Sequence, residues 1–106
     1  MIAARFLLAS LYCFSSGSVA FSGRLDAAYD AQIQYALEHL ISGGATNSSV
    51  EGTEVMVKPI RTWKSTSGHY CRRYEIAASA AASEPDREEL TRGRLKSGGW
   101  VYAAGD

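Results

Sequence analysis

His69 and Cys71 stand two residues apart in the run His69-Tyr70-Cys71-Arg72-Arg73-Tyr74. On a β-strand that spacing puts both on one face, with Cα atoms about 7 Å apart. A Cys–His pair of this kind can generate a thiolate nucleophile. No orienting third group and no oxyanion hole accompany it, so the expectation is no catalytic residue. Metal binding by His69, Cys71 and His39 is not expected either, because their spacing matches no zinc pattern. The chain has no phosphate-cradling glycine motif, no H-E-x-x-H, no G-x-S-x-G and no internal repeat. No cofactor is therefore expected.

Two other sets of residues have chemistry to offer. Arg72, Arg73, Arg92 and Arg94 would cluster if their strands pair, and Glu75, Glu88 and Glu89 lie close enough in sequence to balance them. Read plainly, they are solvated sheet positions with opposite charges on neighbouring strands. Arg72 and Arg94 are kept as candidates for an interaction surface. Trp63, Tyr70, Tyr74, Trp100 and Tyr102 form either a recognition surface or a core. Trp63 and Tyr102 are the candidates for the surface. Eleven basic residues against eleven acidic ones give no net charge. That balance argues against a nucleic-acid partner, whose affinity would come from a basic surface.

The elements that would position these residues begin with an export signal. Arg5 precedes an apolar run from Phe6 to Phe14, and Ser18-Val19-Ala20 supplies small residues at a cleavage site. The run is too short to span a bilayer, which takes about 20 residues. Residues 1–20 are thus expected to leave as a signal peptide, with 21–106 forming one domain. Cys13 would depart with the leader or act as a lipid-attachment cysteine, although the bulky Tyr12 precedes it where a lipobox has a small residue. Cys71 would then be an unpaired thiol, buried or bonded to another molecule.

Beyond the leader, Tyr29, Ile33, Ala36, Leu37, Leu40 and Ile41 recur at helical steps. They predict a helix over 27–42, with Asp26 as N-cap and Gly43-Gly44 as its end. Ala45 to Gly52 is polar and small and reads as a loop. Glu54 to Lys58 is a short strand stopped by Pro59, which Arg61 to Lys64 continues after a bend. His69 to Ala78 is the best strand, with Tyr70, Arg72, Tyr74 and Ile76 on one face. The segment from Ala77 to Leu90 fits either a helix or the far arm of a hairpin. Ser97-Gly98-Gly99 is a turn, and Trp100 to Ala103 a last strand.

Val57-Lys58-Pro59-Ile60-Arg61-Thr62-Trp63, then Gly68-His69-Tyr70-Cys71-Arg72-Arg73-Tyr74, then Arg94 and Gly98-Gly99-Trp100 follow a recognisable order. The order resembles the C-terminal domain of the bacterial 17 kDa surface antigens. That family reads V-x-P-x-R-T-Y/W, G-x-Y-C-R-E-Y/F, A-C-R and G-x-W. The resemblance implies the hairpin, with its second strand near Glu88 to Lys96, and it places Tyr74 and Trp100, which hold family positions flanking the turns, in the core. The fold expected is α+β, one helix on a four-stranded antiparallel sheet in the manner of a cystatin-like half-roll. It also implies an exported protein of the periplasm, outer membrane or cell surface, with a structural or binding role and no reaction. Three departures stand out: Gly93 where the second family cysteine falls, Arg73 where an acidic residue is usual, and no glycine-rich segment upstream. Without that segment, peripheral outer-membrane association is less expected than a soluble periplasmic or secreted domain. An inhibitor or ligand-binding module using an exposed Trp63 is the alternative, and a thiol enzyme would need Cys71 exposed and acidified by His69.

Overall fold

The computed structural model describes residues 13, 24–80 and 84–102, the last by its backbone alone. The leader expected over 1–20 falls outside the described residues except for Cys13. Among the described residues two short helices, α1 (Arg24–Ala28) and α2 (Asp30–His39), precede five strands. These are β1 (Thr46–Val50), β2 (Thr53–Lys64), β3 (Tyr70–Ala80), β4 (Asp86–Arg94) and β5 (Trp100–Tyr102). The strands form one curled antiparallel sheet in sequence order. The fold is α+β.

The helices lie on one face of the sheet, α1 against β3 and β4, α2 against β2 and β5. Leu25, Ile33, Ala36 and Leu37 bury against Val55, Val57, Tyr74, Ile76 and Trp100. Strand alternation explains the sheet's share of this core. Val57 faces Ile76 and Pro59 faces Tyr74 across the β2–β3 ladder, so each pair projects to the same side.

The sheet has five strands, not the expected four, because Thr46–Val50 is a strand and not a loop. Its composition hides it, since Asn and Ser are poor strand formers. What makes it pair is the turn: Val50 and Thr53 flank Glu51 and Gly52, at φ 49° and 82°. Two successive positive φ values make a type I′ connection, whose twist matches that of the strands it joins.

β2 runs straight through Pro59 instead of stopping there. By that point β1 has ended, and the Pro59 carbonyl accepts from the Gly43 N–H at 2.7 Å. The missing proline N–H therefore faces no strand. The β2–β3 register slips between Pro59 and Arg61. This bulge at Ile60 reverses the alternation. After it Thr62 pairs with Arg72 on the helix side, and Trp63 pairs with Cys71 on the outer side.

The expected single helix is broken and shorter. Asp26 is not an N-cap but a buried residue inside α1. The Glu88 carboxylate of β4 instead accepts from the Leu25 and Asp26 N–H groups. Tyr29 interrupts the helix at φ −121° and ψ 41°, and Leu40 leaves it in an extended conformation. Ile41 is thereby turned off the apolar stripe and is 81% exposed.

Candidate functional site

Arg72 and Arg92 are register partners on β3 and β4, on the face that the helices cover. They are 6% and 3% exposed, so neither is a solvated sheet position. Like charges directly opposite are unfavourable unless something separates or neutralises them. Here the two guanidiniums diverge toward opposite ends of the helical pair.

Arg92 reaches the first turns. Its Nη2 donates to the Asp26 carbonyl at 3.2 Å, its Nη1 to Asp30 at 2.6 Å and to the Trp100 carbonyl at 3.0 Å. The Asp26 carboxylate lies 3.0 Å from Nη2 and also accepts from the Tyr74 hydroxyl. The Asp26 carbonyl is the acceptor that a continuous helix would offer to Asp30. Arg92 binds that carbonyl where the helix breaks at Tyr29.

Arg72 reaches the last turn of α2. Its Nη1 donates to the Leu37 carbonyl at 2.7 Å, and its Nε to the Thr62 hydroxyl at 2.8 Å. A longer contact of 3.5 Å runs from Nη2 to the Ser42 hydroxyl. Thr62 and Ser42 in turn hydrogen-bond each other at 3.0 Å. All three acceptors are neutral, and no carboxylate among the described residues pairs with Arg72. Burial pushes its pKa below the ordinary arginine value, with no opposing charge to restore it.

An open groove of about 400 Å³ lies beside this guanidinium. Leu37, Glu38, Leu40, Ile41 and Ser42 line it from the helix end, and Thr62, Tyr70, Arg72, Arg94 and Trp100 from the sheet. Arg94 and Glu38 make a two-pronged pair, Nε to Oε1 at 3.0 Å and Nη2 to Oε2 at 3.1 Å. The Trp100 indole N–H adds a third bond to Glu38 at 2.9 Å. Those bonds hold the Glu38 carboxyl below its usual pKa, Arg94 being the larger cause. The Trp100 backbone is held by Gln34, whose amide oxygen accepts from its N–H at 2.7 Å while its amide nitrogen donates to its carbonyl.

Of the residues singled out in the sequence, Arg72 and Arg94 meet in this groove, and Trp63 does not. Trp63 lies half-buried on the opposite face, where its indole donates to the Cys13 carbonyl at 2.9 Å and Arg61 stacks over its ring. Tyr102 is described by its backbone alone, so its expected surface role lies outside the described residues. Tyr74 and Trp100 are core residues. Arg73 is an outer-face residue paired with Glu89, as Arg87 is with Glu75.

Cys71 is not an unpaired thiol. It forms a disulfide with Cys13, with Cα atoms 5.8 Å apart, and both cysteines are buried. The same bond gives Cys13 a role other than lipid attachment. As half of a disulfide Cys71 is no nucleophile, and His69 lies in the turn before β3, its Nδ1 3.1 Å from the Arg94 carbonyl. No group of three His, Cys, Asp or Glu among the described residues is placed to hold a metal. No helix among them is long and apolar enough to cross a membrane. No family model, curated protein or solved structure matches this chain.

Sequence reasoning missed Glu38, Ser42, Ile41 and Thr62 as groove residues. One signal for Arg72 was present: it shares a strand face with Tyr74 and Ile76, and an arginine on a core-facing stripe must find acceptors.

Proposed function

We propose that this chain is a small, non-enzymatic domain of the bacterial cell envelope, of surface-antigen type, that binds a partner through the groove at Arg72. The observation that carries the binding role is a buried guanidinium, paired with no carboxylate among the described residues, beside an open groove.

The envelope assignment draws on the order of motifs and on two features of the fold. The first is the position of Gly93, which stands where the resemblance expects a second cysteine. Ser65 donates to the His69 carbonyl and Leu95 to the Gly99 carbonyl, closing the two hairpins. Two residues inward from each closing bond, Cys71 directs its backbone groups toward Trp63, and Gly93 toward Val101. Cys71 and Gly93 are therefore a non-hydrogen-bonded pair of the β3–β4 ladder. Such pairs hold their Cα atoms about 4.5 Å apart, within reach of a disulfide. Two cysteines here would meet, and in this chain Cys13 supplies the partner sulfur from another direction.

The second feature is the bridge itself, since disulfides persist in oxidising compartments. Cleavage after Ala20 would remove Cys13, so the leader and the bridge describe two different mature forms. A curled sheet with helices across one face has the outline of a cystatin-like half-roll, here with a fifth strand and a broken helix. The inhibitor reading needs an exposed Trp63, and Trp63 is a half-buried residue of β2 packed against the disulfide.

The test is to express the full chain with a C-terminal tag in a Gram-negative host and fractionate the cells. Thiol alkylation before and after reduction, with intact mass, then reads the bridge and the N-terminus. An envelope fraction in which Cys71 is protected until reduction is expected. A cytoplasmic protein with both thiols alkylated at once would overturn the assignment.

A further inference from the structure

We infer that the groove beside Arg72 binds a single carboxylate carried on an apolar group, the carboxylate on the Arg72 guanidinium and the apolar part against Ile41 and Tyr70. The inference rests on the binding role proposed above and supplies its ligand class.

The charge at Arg72 is incompletely met. A guanidinium has about five N–H donors, and those of Arg72 serve the Thr62 hydroxyl, the Leu37 carbonyl and, at 3.5 Å, the Ser42 hydroxyl. Two N–H groups are left over. The end of α2 offers a partial negative charge of about half a unit, which is not a full counter-ion. Nearby carboxylates are engaged elsewhere. Glu38 is held by Arg94 and Trp100. Asp26 and Asp30 are bound to Arg92 at the other end of the helices. Asp26 precedes Leu37 by eleven residues, roughly 16 Å at helical rise.

The same charges select a monoanion. Arg94 and Glu38 cancel, so Arg72 is the one cation lining the groove without a carboxylate, and the Lys64 ammonium stands 5.5 Å from the Tyr70 ring at the rim. A carboxylate neutralises Arg72 and matches the planar fork of the guanidinium. A dianionic phosphate would place excess negative charge against Glu38 and the carbonyls of the helix end. Apart from Ser42, Thr62 and the charged side chains, the lining of the groove is apolar. Ile41 is 81% and Tyr70 53% exposed, and both stand on it with Leu40. Large exposed side chains gathered at one concavity mark a contact surface. The volume of about 400 Å³ is that of a small-ligand site.

The probes are N-acetylphenylalanine, which mimics a peptide C-terminus, and octanoate, which mimics a short fatty acid. N-acetylphenylalaninamide and inorganic phosphate are the controls. Each is titrated into isotope-labelled full chain while the Trp100 indole and Arg72 Nε–H signals are followed by NMR. One carboxylate probe or both should shift these signals saturably, with a dissociation constant of about 1–10 mM. The stronger of the two identifies the source, and the controls should bind at least about tenfold more weakly. Arg72→Gln should abolish the response. Because it also removes a contact to the helix end, Tyr70→Ser at the exposed rim is the second variant, expected to weaken binding about threefold to tenfold with an unchanged fold.

Equal shifts from the acid and its amide, or a stronger response to phosphate, would overturn the ligand class while leaving the groove a binding site. Silence of both signals to every probe would overturn the ligand class and the binding role together.

Discussion

Arg72 and Arg92 show how one residue type serves two ends in one buried layer. Arg92 is neutralised twice over, whereas Arg72 has only neutral acceptors. Removing Arg92 would leave the Asp26 carboxylate buried beside the Tyr74 hydroxyl with no cation. Arg92→Gln should therefore cost about 3–5 kcal/mol, read from urea midpoints. Arg94→Gln, in a half-exposed and solvent-screened pair, should move the urea midpoint far less. Titration bounds the same network on both sides. The Arg92 hydrogen bond holds Asp30 below its ordinary pKa, and Arg94, then Trp100, do so for Glu38. These carboxylates contribute above their unfolded pKa of about 4, and that share is lost as pH falls through the lower folded values. Burial, then the bond to Asp26, raises the Tyr74 pKa. Its contribution is complete below about pH 10 and is lost as pH rises further. Denaturation midpoints should thus fall at both extremes, and Tyr74→Phe should flatten the alkaline limb. An unchanged alkaline limb in that variant would count against the buried phenol.

At the scale of elements, the helix period in the sequence is real but its extent is not. Ile33, Ala36 and Leu37 form the buried stripe as expected, while arginines arriving from the sheet bind carbonyls near both helix ends. The bulge at Ile60 has a similar reach, since it turns Thr62 rather than Trp63 toward the groove. The β1–β2 turn carries a local conflict. Glu51 sits at positive φ, where a side chain other than Asn, Asp or Gly is disfavoured. Glu51→Asn should raise stability by roughly 0.5–1 kcal/mol, measured by thermal or urea unfolding. A loss of stability instead would mean that Glu51 has a role beyond the turn.

For the whole molecule the disulfide is the covalent tie, joining residues 58 apart in sequence. Closing a loop of that size constrains the unfolded chain by about 4 kcal/mol on the entropic model. Cys13→Ser, or reduction of the native chain, should lower the melting temperature accordingly. The ladder offers a way to restore it. Gly93 faces Cys71, so adding Gly93→Cys to Cys13→Ser should form a new bridge and recover about 3 kcal/mol. Free-thiol titration would show whether that bridge closes, and persistent thiols would count against the resemblance as well as the register.

The periodicity of the chain alone determined a buried stripe on one helix, strands after residue 53 and a turn at Ser65–Gly68. These follow from local rules, because a side chain's face is set by the pitch of its own element. Tertiary structure alone decided that Cys71 pairs with Cys13, that Asp26 serves Arg92 instead of capping a helix, and that Arg72 stands beside an open groove. Each of these depends on partners far apart in sequence, 58 residues for the cysteines and 66 for Asp26 and Arg92. A sequence pattern reports which way a side chain points, whereas the neighbour it meets is chosen by how the sheet curls over the helices.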